Sequence, residues 1–547
     1  MICVSQYELS IITNIIQKRA SDCDVLAFGS RFKWTPKDYS DLDLAFVSKN
    51  GERLGLKRMG ILSEAFMESD LPYRVDIVDY FALSPEFKGV VDGGHEVIFR
   101  GEQEGQGIKY KETIFGLIPS HWELSSISDY ADVVTDYVAN GSFAALKEKV
   151  QYLNNPDYAV LIRLTDFNND FSGNFVYINE DAYHFLKKSK LIGGEIIISN
   201  VGANVGTVFR CPVLPYKMSL APNAIMVNFK GDNNFYYYWL KSAAGQFMLK
   251  SIVSGSAQPK FNKTDFRKIV IPAPPIEEQK KIADILSALD AKIAVNKDIN
   301  QHLEQMVQAI YKSWFIDFEP FKDNEFIDSE LGEIPMGWNV ISLNDIVMLT
   351  GGYSYKSKEL LPSKTAMATI KNFNRKGGFK TDGFKEIVVT GKSKPAQYVE
   401  PFDILVAHTD VTQNADIIGN AEMLMTMGIY EKIIISLDIV KVKSCLPELS
   451  NFVLAAILRS PQFKSHALGY VNGTTVLHLS KRAIPEYKIA FPRNTSILTK
   501  LNSIIEPMYR MMASNIAQNI HLASARDVLL PRLTSGHLSV DTTTNNP

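Results

Sequence analysis

Three carboxylates near the N-terminus have types and spacing that suit metal-dependent chemistry. The segment VLAFGSRFKWTPKDYSDLDLAFV reads as an apolar strand, a Gly-Ser turn at Gly29 and Ser30, a polar loop, and a second strand carrying Asp41 and Asp43. Residues two apart on a strand point to one face, so the two acids stand side by side, and a divalent cation relieves their repulsion. The later segment RVDIVDYF adds Asp76, flanked by apolar residues as a third inward carboxylate would be.

Ten residues separate Ser30 from Asp41. With the Gly-Ser turn at that spacing and a third strand acid, the segment resembles the minimal nucleotidyltransferases of the polymerase beta superfamily over about residues 5 to 100. The resemblance implies that Gly29 lets the backbone approach a nucleoside triphosphate and that Ser30 helps to hold it. It also implies that Asp41, Asp43 and Asp76 bind Mg2+, with Asp76 aligning or deprotonating the attacking hydroxyl, so that metals stabilise both oxygens of an in-line transfer. The chain departs from many relatives after the turn, where Arg31, Phe32, Lys33 and Trp34 replace a small-residue and Arg-rich loop. Nucleotide and acceptor therefore stay open.

A second set of residues suits binding to phosphate and bases. Net charge is -2, which excludes a uniformly basic coat, yet between Gly351 and Pro395 ten Lys or Arg face three acids. The candidates for DNA contact are Lys187, Lys188, Lys190, Lys260, Lys263, Arg267 and Lys268, then Lys371, Arg375, Lys376 and Lys380. Each is also readable as part of a solvated face. The segments SGSAQPKFNK and NGTTVLHLSK are readable as Gly-turn phosphate loops or as tight turns that support the fold. The aromatic run Phe235, Tyr236, Tyr237, Tyr238, Trp239 reads as core.

The elements that position these residues are duplicated. Gly116, Ile118, Pro119, Trp122 and Asp129 match Gly332, Ile334, Pro335, Trp338 and Asp345, and Gly255 matches Gly473 at nearly the same offset. After each copy comes a long helical pattern. The first stripe runs Ile282, Leu286, Leu289, Ile293, Asn296, Asn300, Leu303, Val307, Ile310. The second runs Ile497, Leu501, Ile504, Met508, Met511, Asn515, Gln518, Leu522, Ala525, Leu529. Amides at the centre of both stripes predict an antiparallel pair in which they meet and set the register. The first stripe is about 43 Å long at about 1.5 Å per residue, comparable to one turn of B-DNA at about 34 Å.

The paired GxIPxxW starts, SWFIDF at Ser313 to Phe318 and LLPRLTSGHL near the end make residues 115 to 540 resemble type I restriction-modification specificity subunits. The resemblance implies two target recognition domains that read the halves of a split double-stranded DNA site. It implies paired helices that hold these domains apart and bind methyltransferase (modification) subunits, with restriction and motor subunits as further partners.

At 547 residues the chain is too long for one core, and 46% hydrophobic with 22% charged residues is ordinary for globular domains. Cys3, Cys23, Cys211 and Cys445 form no CxxC pair, so neither a disulfide framework nor a zinc site is expected and a reducing cytoplasm fits. Neither an export signal nor a membrane span is read. The sequence holds no Walker A loop or dinucleotide fingerprint, so the DNA-reading part is expected to need partner enzymes and no cofactor.

The expected fold is α+β and multidomain: a nucleotidyltransferase fold over 1-100, a linker over 101-116, and α/β target recognition domains over 117-272 and 331-492. Spacer helices over 273-320 and 493-540 pair as an antiparallel coiled coil. The expected function is that of a DNA specificity subunit fused to a metal-dependent nucleotidyltransferase. The alternative is a nucleotidyltransferase, modifying a protein or nucleic acid, that its C-terminal region targets to DNA.

Overall fold

The computed structural model describes residues 4, 6–32, 40–101, 109–375, 377–412 and 414–540. The chain divides into two compact units, residues 1–123 and 124–547.

In the first unit, helix α1 (Gln6–Arg19) leads into strand β1 (Cys23–Phe28), the short helix α2 (Gly29–Phe32), β2 (Leu42–Ser48), α3 (Leu56–Met67), β3 (Val75–Asp79), α4 (Pro85–Asp92) and β4 (Glu96–Phe99). The sheet order is β3-β2-β1-β4, with β2 and β3 parallel and β1 antiparallel to both of its neighbours. Apolar residues on both strand faces make this a sheet covered on both sides. Ile12 and Ile16 of α1 and Leu62 and Phe66 of α3 pack with Val25, Leu42, Leu44 and Phe46. Leu26, Phe28 and Ala45 pack with Val91 of α4 on the other face. Part of the expected linker lies outside the described residues, and the rest of it enters a hairpin that pairs Tyr110–Thr113 with Gly116–Pro119.

The second unit carries the duplication into topology. The strands Ala131–Asp136, Ala224–Phe229, Ile196–Ser199 and Val208–Arg210 lie in that order in one sheet. Val347–Gly351, Ile439–Ser444, Ile404–Ala407 and Ala421–Met423 repeat it. A second sheet in each copy contains one parallel pair, Ala159–Ile162 with Lys217–Leu220 and Thr365–Ala368 with Lys432–Ile435. All other pairings in these four sheets are antiparallel. The copies are therefore α+β with mainly antiparallel sheets, which corrects the α/β expectation for them. Their strands are short, and only one pair in each copy runs parallel, as a sheet built from repeated crossover helices would not.

The aromatic run forms helix Asn233–Lys241 and is buried throughout, as its composition predicts. Two motifs from the sequence meet in the second copy. Phe315 and Phe318 of SWFIDF pack edge-on against Trp338 of GxIPxxW, each at 5.3 Å between ring centres.

The helices Ile276–Phe315 and Ser496–Thr534 run 40 and 39 residues. They are antiparallel, because Asp290 pairs with Arg526, Asn296 with Gln518 and Asn300 with Asn515. Asn296 Nδ2 donates to Gln518 Oε1 at 2.7 Å and to Asn519 Oδ1 at 2.9 Å, and Asn515 Nδ2 donates to Asn300 Oδ1 at 2.8 Å. The central amides thus bond across the pair.

The second stripe differs from expectation in its N-terminal half. Ile504 and Met511 face solvent, while Leu498, Ile505, Tyr509 and Met512 are buried. The burying surface there belongs to the second copy, whose Phe452 ring lies tilted against Tyr509 with ring centres 5.7 Å apart. That neighbour rotates the apolar face by one residue.

Candidate functional site

In the first unit, β1 ends at Phe28, which lies opposite Asp43 on β2, and Asp43 lies opposite Asp76 on β3. The register thus sets two carboxylates on adjacent strands next to the turn after Phe28. Gly29 occupies that turn with φ of 76°, and a Cβ there would lie 2.1 Å from Asp43 Oδ2. Glycine is required twice over, for the backbone conformation and for the close approach of the carboxylate. Ser30 comes next, in α2.

Burial raises the Asp43 carboxyl above its ordinary range, and the charges of Asp76 and Asp41 add to the rise. Asp76 is half exposed and accepts from Arg74 Nε at 2.8 Å. Asp41 is exposed, just before the strand. Asp43 and Asp76 are brought together, and no compact group of three metal-ligating side chains forms among the described residues. The donor set still suits a hard divalent cation, because the acids repel one another around a glycine gap that excludes any side chain.

Arg31 is buried and donates from Nε to Ser40 O at 2.9 Å, while its guanidinium lies 3.6 Å from the Tyr73 ring centre. It ties the turn to the start of the acid-bearing strand. Lys33 and Trp34 lie outside the described residues.

In the second unit, Lys187 and Lys188 are exposed on one short turn, where Asn140 Oδ1 accepts from the Lys188 backbone N–H at 2.8 Å. Lys260 is exposed on a hairpin whose ends are joined by Ser254 and Lys260. Lys263 is different: its ammonium pairs with Asp136 at 2.9 Å and both side chains are largely buried, so its charge is spent inside the copy. Arg267 donates to Val134 O, Lys268 pairs with Asp265, and Lys190 lies over Tyr183. Lys371, Arg375 and Lys380 are exposed around a tight loop closed by the Phe373 and Phe379 bridge; Lys376 lies outside the described residues.

That loop rests on residues the sequence reading missed. Buried Glu422 accepts from Gly378 N–H at 2.6 Å and pairs with Arg459 at 3.3 Å, and Arg459 also pairs with Glu304 of the first long helix at 3.1 Å. Burial raises the Glu422 carboxyl, against the pull of Arg459. Nothing in the local sequence around an isolated Glu in an apolar strand marks it.

The paired glycine motifs are turns of matching geometry. Gly255 and Gly473 have φ of 86° and 108°, and a Cβ on either would press on the carbonyl oxygen three residues later, at 2.9 Å and 2.3 Å.

Comparison with known proteins places these features. The family of the type I restriction modification DNA specificity domain matches residues 119–305. The type I restriction enzyme MjaIX specificity subunit of Methanocaldococcus jannaschii is 27% identical over 469 residues, covering 81% of this chain and 99% of that protein. A protein of Haemophilus influenzae named Probable protein adenylyltransferase MntA is 42% identical over 100 residues, 18% of this chain and 86% of that protein, in the N-terminal part. The crystal structure of the S subunit from M. genitalium is similar at 16% identity and a TM-score of 0.45, covering 79% of this chain and 98% of that one. Residues 119–305 thus match a type I restriction modification DNA specificity domain, the chain is similar to type I specificity subunits over most of its length, and its N-terminal part is similar to an MntA protein.

Proposed function

We propose that residues 117-272 and 331-492 are two target recognition domains that read the two halves of a split DNA site, and that the long helices form an antiparallel coiled-coil spacer between them. The observation that carries this reading is the repeat of one sheet topology on two antiparallel helices whose central amides bond across the pair. Similar but unequal readers at a fixed separation select two short sequences at a fixed spacing. Lys187, Lys188, Lys260, Lys371, Arg375 and Lys380 supply phosphate contacts, and side chains at domain edges read bases. Modification subunits, with restriction and motor subunits, bind the spacer and perform the chemistry in the cytoplasm. No helix among the described residues is long and apolar enough to cross a membrane. Co-expression with the cognate modification subunit, followed by methylation mapping, tests the reading: methylation at one split sequence supports it, and methylation without sequence preference refutes it.

A second reading concerns the N-terminal unit, and the paired Asp43 and Asp76 beside Gly29 favour it. In this reading Asp41, Asp43 and Asp76 hold Mg2+, which would supply charge stabilisation to a transferred phosphoryl group. Gly29 and Ser30 seat the triphosphate, and Asp76 orients the acceptor hydroxyl. The acceptor is a protein or nucleic acid. Radiolabelled nucleotide transfer by the intact chain tests it, with incorporation expected and its absence contradicting the reading.

A further inference from the structure

The two copies agree at one position in more than topology. Asn200 lies just after the central strand Ile196–Ser199, and His408 just after its counterpart Ile404–Ala407. Asn200 N–H donates to Asn223 O at 3.1 Å, as His408 N–H donates to Asp438 O at 2.8 Å. Phe261 N–H donates to Asn200 O at 3.1 Å, as Leu479 N–H donates to His408 O at 2.9 Å. Two different residues therefore stand in one backbone frame, each against the glycine hairpin of its own copy.

Each also keeps an unused polar atom. Asn200 Nδ2 donates to Phe261 O at 3.0 Å, but Asn200 Oδ1 has no hydrogen-bond partner among the described residues, and neither has His408 Nε2. Leaving a polar atom shielded and unpaired is unfavourable, and its recurrence at one position in both copies points to a partner that supplies the missing hydrogen bond. Asn200 lines a cavity of about 470 Å3 shared with Asp136, Tyr137, Tyr152, Val201 and Asn223. Beside it the hairpin exposes Ser256, Gln258 and Lys260; beside His408 the matching hairpin exposes His478, and Lys481 stands where Lys263 stands in the first copy. Burial and the Lys481 charge hold the His408 ring neutral, its pKa depressed to about 4.

We infer that Asn200 and His408 are the matched base-reading positions of the two recognition domains, each contacting a base edge at the floor of a hairpin-walled site, and that their difference helps the domains prefer different half-sites. The inference rests on the proposal that both domains read DNA. Asn200 Oδ1 is an acceptor and selects a base edge that offers an amino group, N4 of cytosine or N6 of adenine. The neutral His408 ring offers one donor or acceptor at the same depth.

The test uses the full chain assembled with its modification subunits and methylation mapped genome-wide for the native chain, Asn200→His and His408→Asn. Each substitution is expected to reduce discrimination by about tenfold at one base pair of one half-site, a different half for each, with the other half unchanged. Native methylation at a split site with both variants reading both halves as before overturns this inference and leaves the DNA-reading proposal standing. Native methylation without sequence preference overturns both. If a variant fails to assemble, photocrosslinking of the native complex to iodopyrimidine-substituted target DNA decides. Crosslinks to Asn200 or residues 254–260 from one half, and to His408 or residues 472–478 from the other, are expected. Crosslinks confined to other segments overturn the inference.

Discussion

Replacing Arg459 with Met removes one charge from the middle of a three-residue network and keeps a side chain of similar length. Arg459 is 12% exposed and bridges Glu304, 21% exposed, and Glu422, 4% exposed. Without the guanidinium, two carboxylates remain shielded with nothing to offset their repulsion, and breaking a buried pair in this way costs about 3–5 kcal/mol. At a slope of about 1–3 kcal/mol per molar urea, the unfolding midpoint of the second copy falls by roughly 1–5 M. The loss depends on pH. Burial holds the Glu422 carboxyl above its ordinary range, so near and above that range the folded chain binds more protons than the unfolded chain. This contribution is fully present below the unfolded value and is lost as pH rises through the folded value. Removing Arg459, whose charge lowers the Glu422 pKa, raises it further, so the deficit shrinks as pH falls. Urea titrations monitored by tryptophan fluorescence, with Trp314 and Trp338 at the same core, check both points. An unchanged midpoint, or a deficit equal at pH 5 and pH 8, would refute the reasoning. Arg459→Met combined with Glu422→Gln is expected to regain part of the loss.

The same geometry sets three further outcomes. Gly29→Ala places a methyl group on Asp43 Oδ2 in a left-handed backbone, which costs about 1–2 kcal/mol for the conformation alone; calorimetry of the N-terminal transition should show a lower midpoint. Asp41→Asn with Asp43→Asn is expected to abolish labelled nucleotide transfer, and labelling equal to that of the native chain would sink the enzymatic reading. Asn296→Leu removes two cross-helix hydrogen bonds and strands Gln518 and Asn519, at about 1–3 kcal/mol; hydrogen exchange midway along both helices should quicken, and unchanged protection there would contradict the role of the amides.

The helices and the acid-bearing strands were legible because their signals are local: a 3.6-residue stripe, a Gly-Ser turn, and alternation around Asp43 and Asp76. The duplication was legible from a few spaced motifs, yet the sheet order it encodes was not, since pairing depends on contacts far apart in sequence. For the same reason the one-residue rotation at Ile505 and Met512 was hidden, because the stripe is set by Phe452 of another element as much as by the partner helix. The sequence made Lys263 a candidate for DNA contact, but only the fold shows it paired with Asp136. Glu422, Asn200 and His408 escaped notice because each is a single polar residue at an apolar strand, meaningful only once its surroundings are known.

The central claim, that the two copies read separate halves of one DNA site, is tested most directly by exchanging residues 332 to 492 for the corresponding module of another specificity subunit. Methylation would then be mapped in cells that carry the cognate modification subunit. The account predicts that one half of the methylated sequence changes while the other half and the spacing persist. An unchanged methylated sequence, or a change in both halves at once, would contradict it.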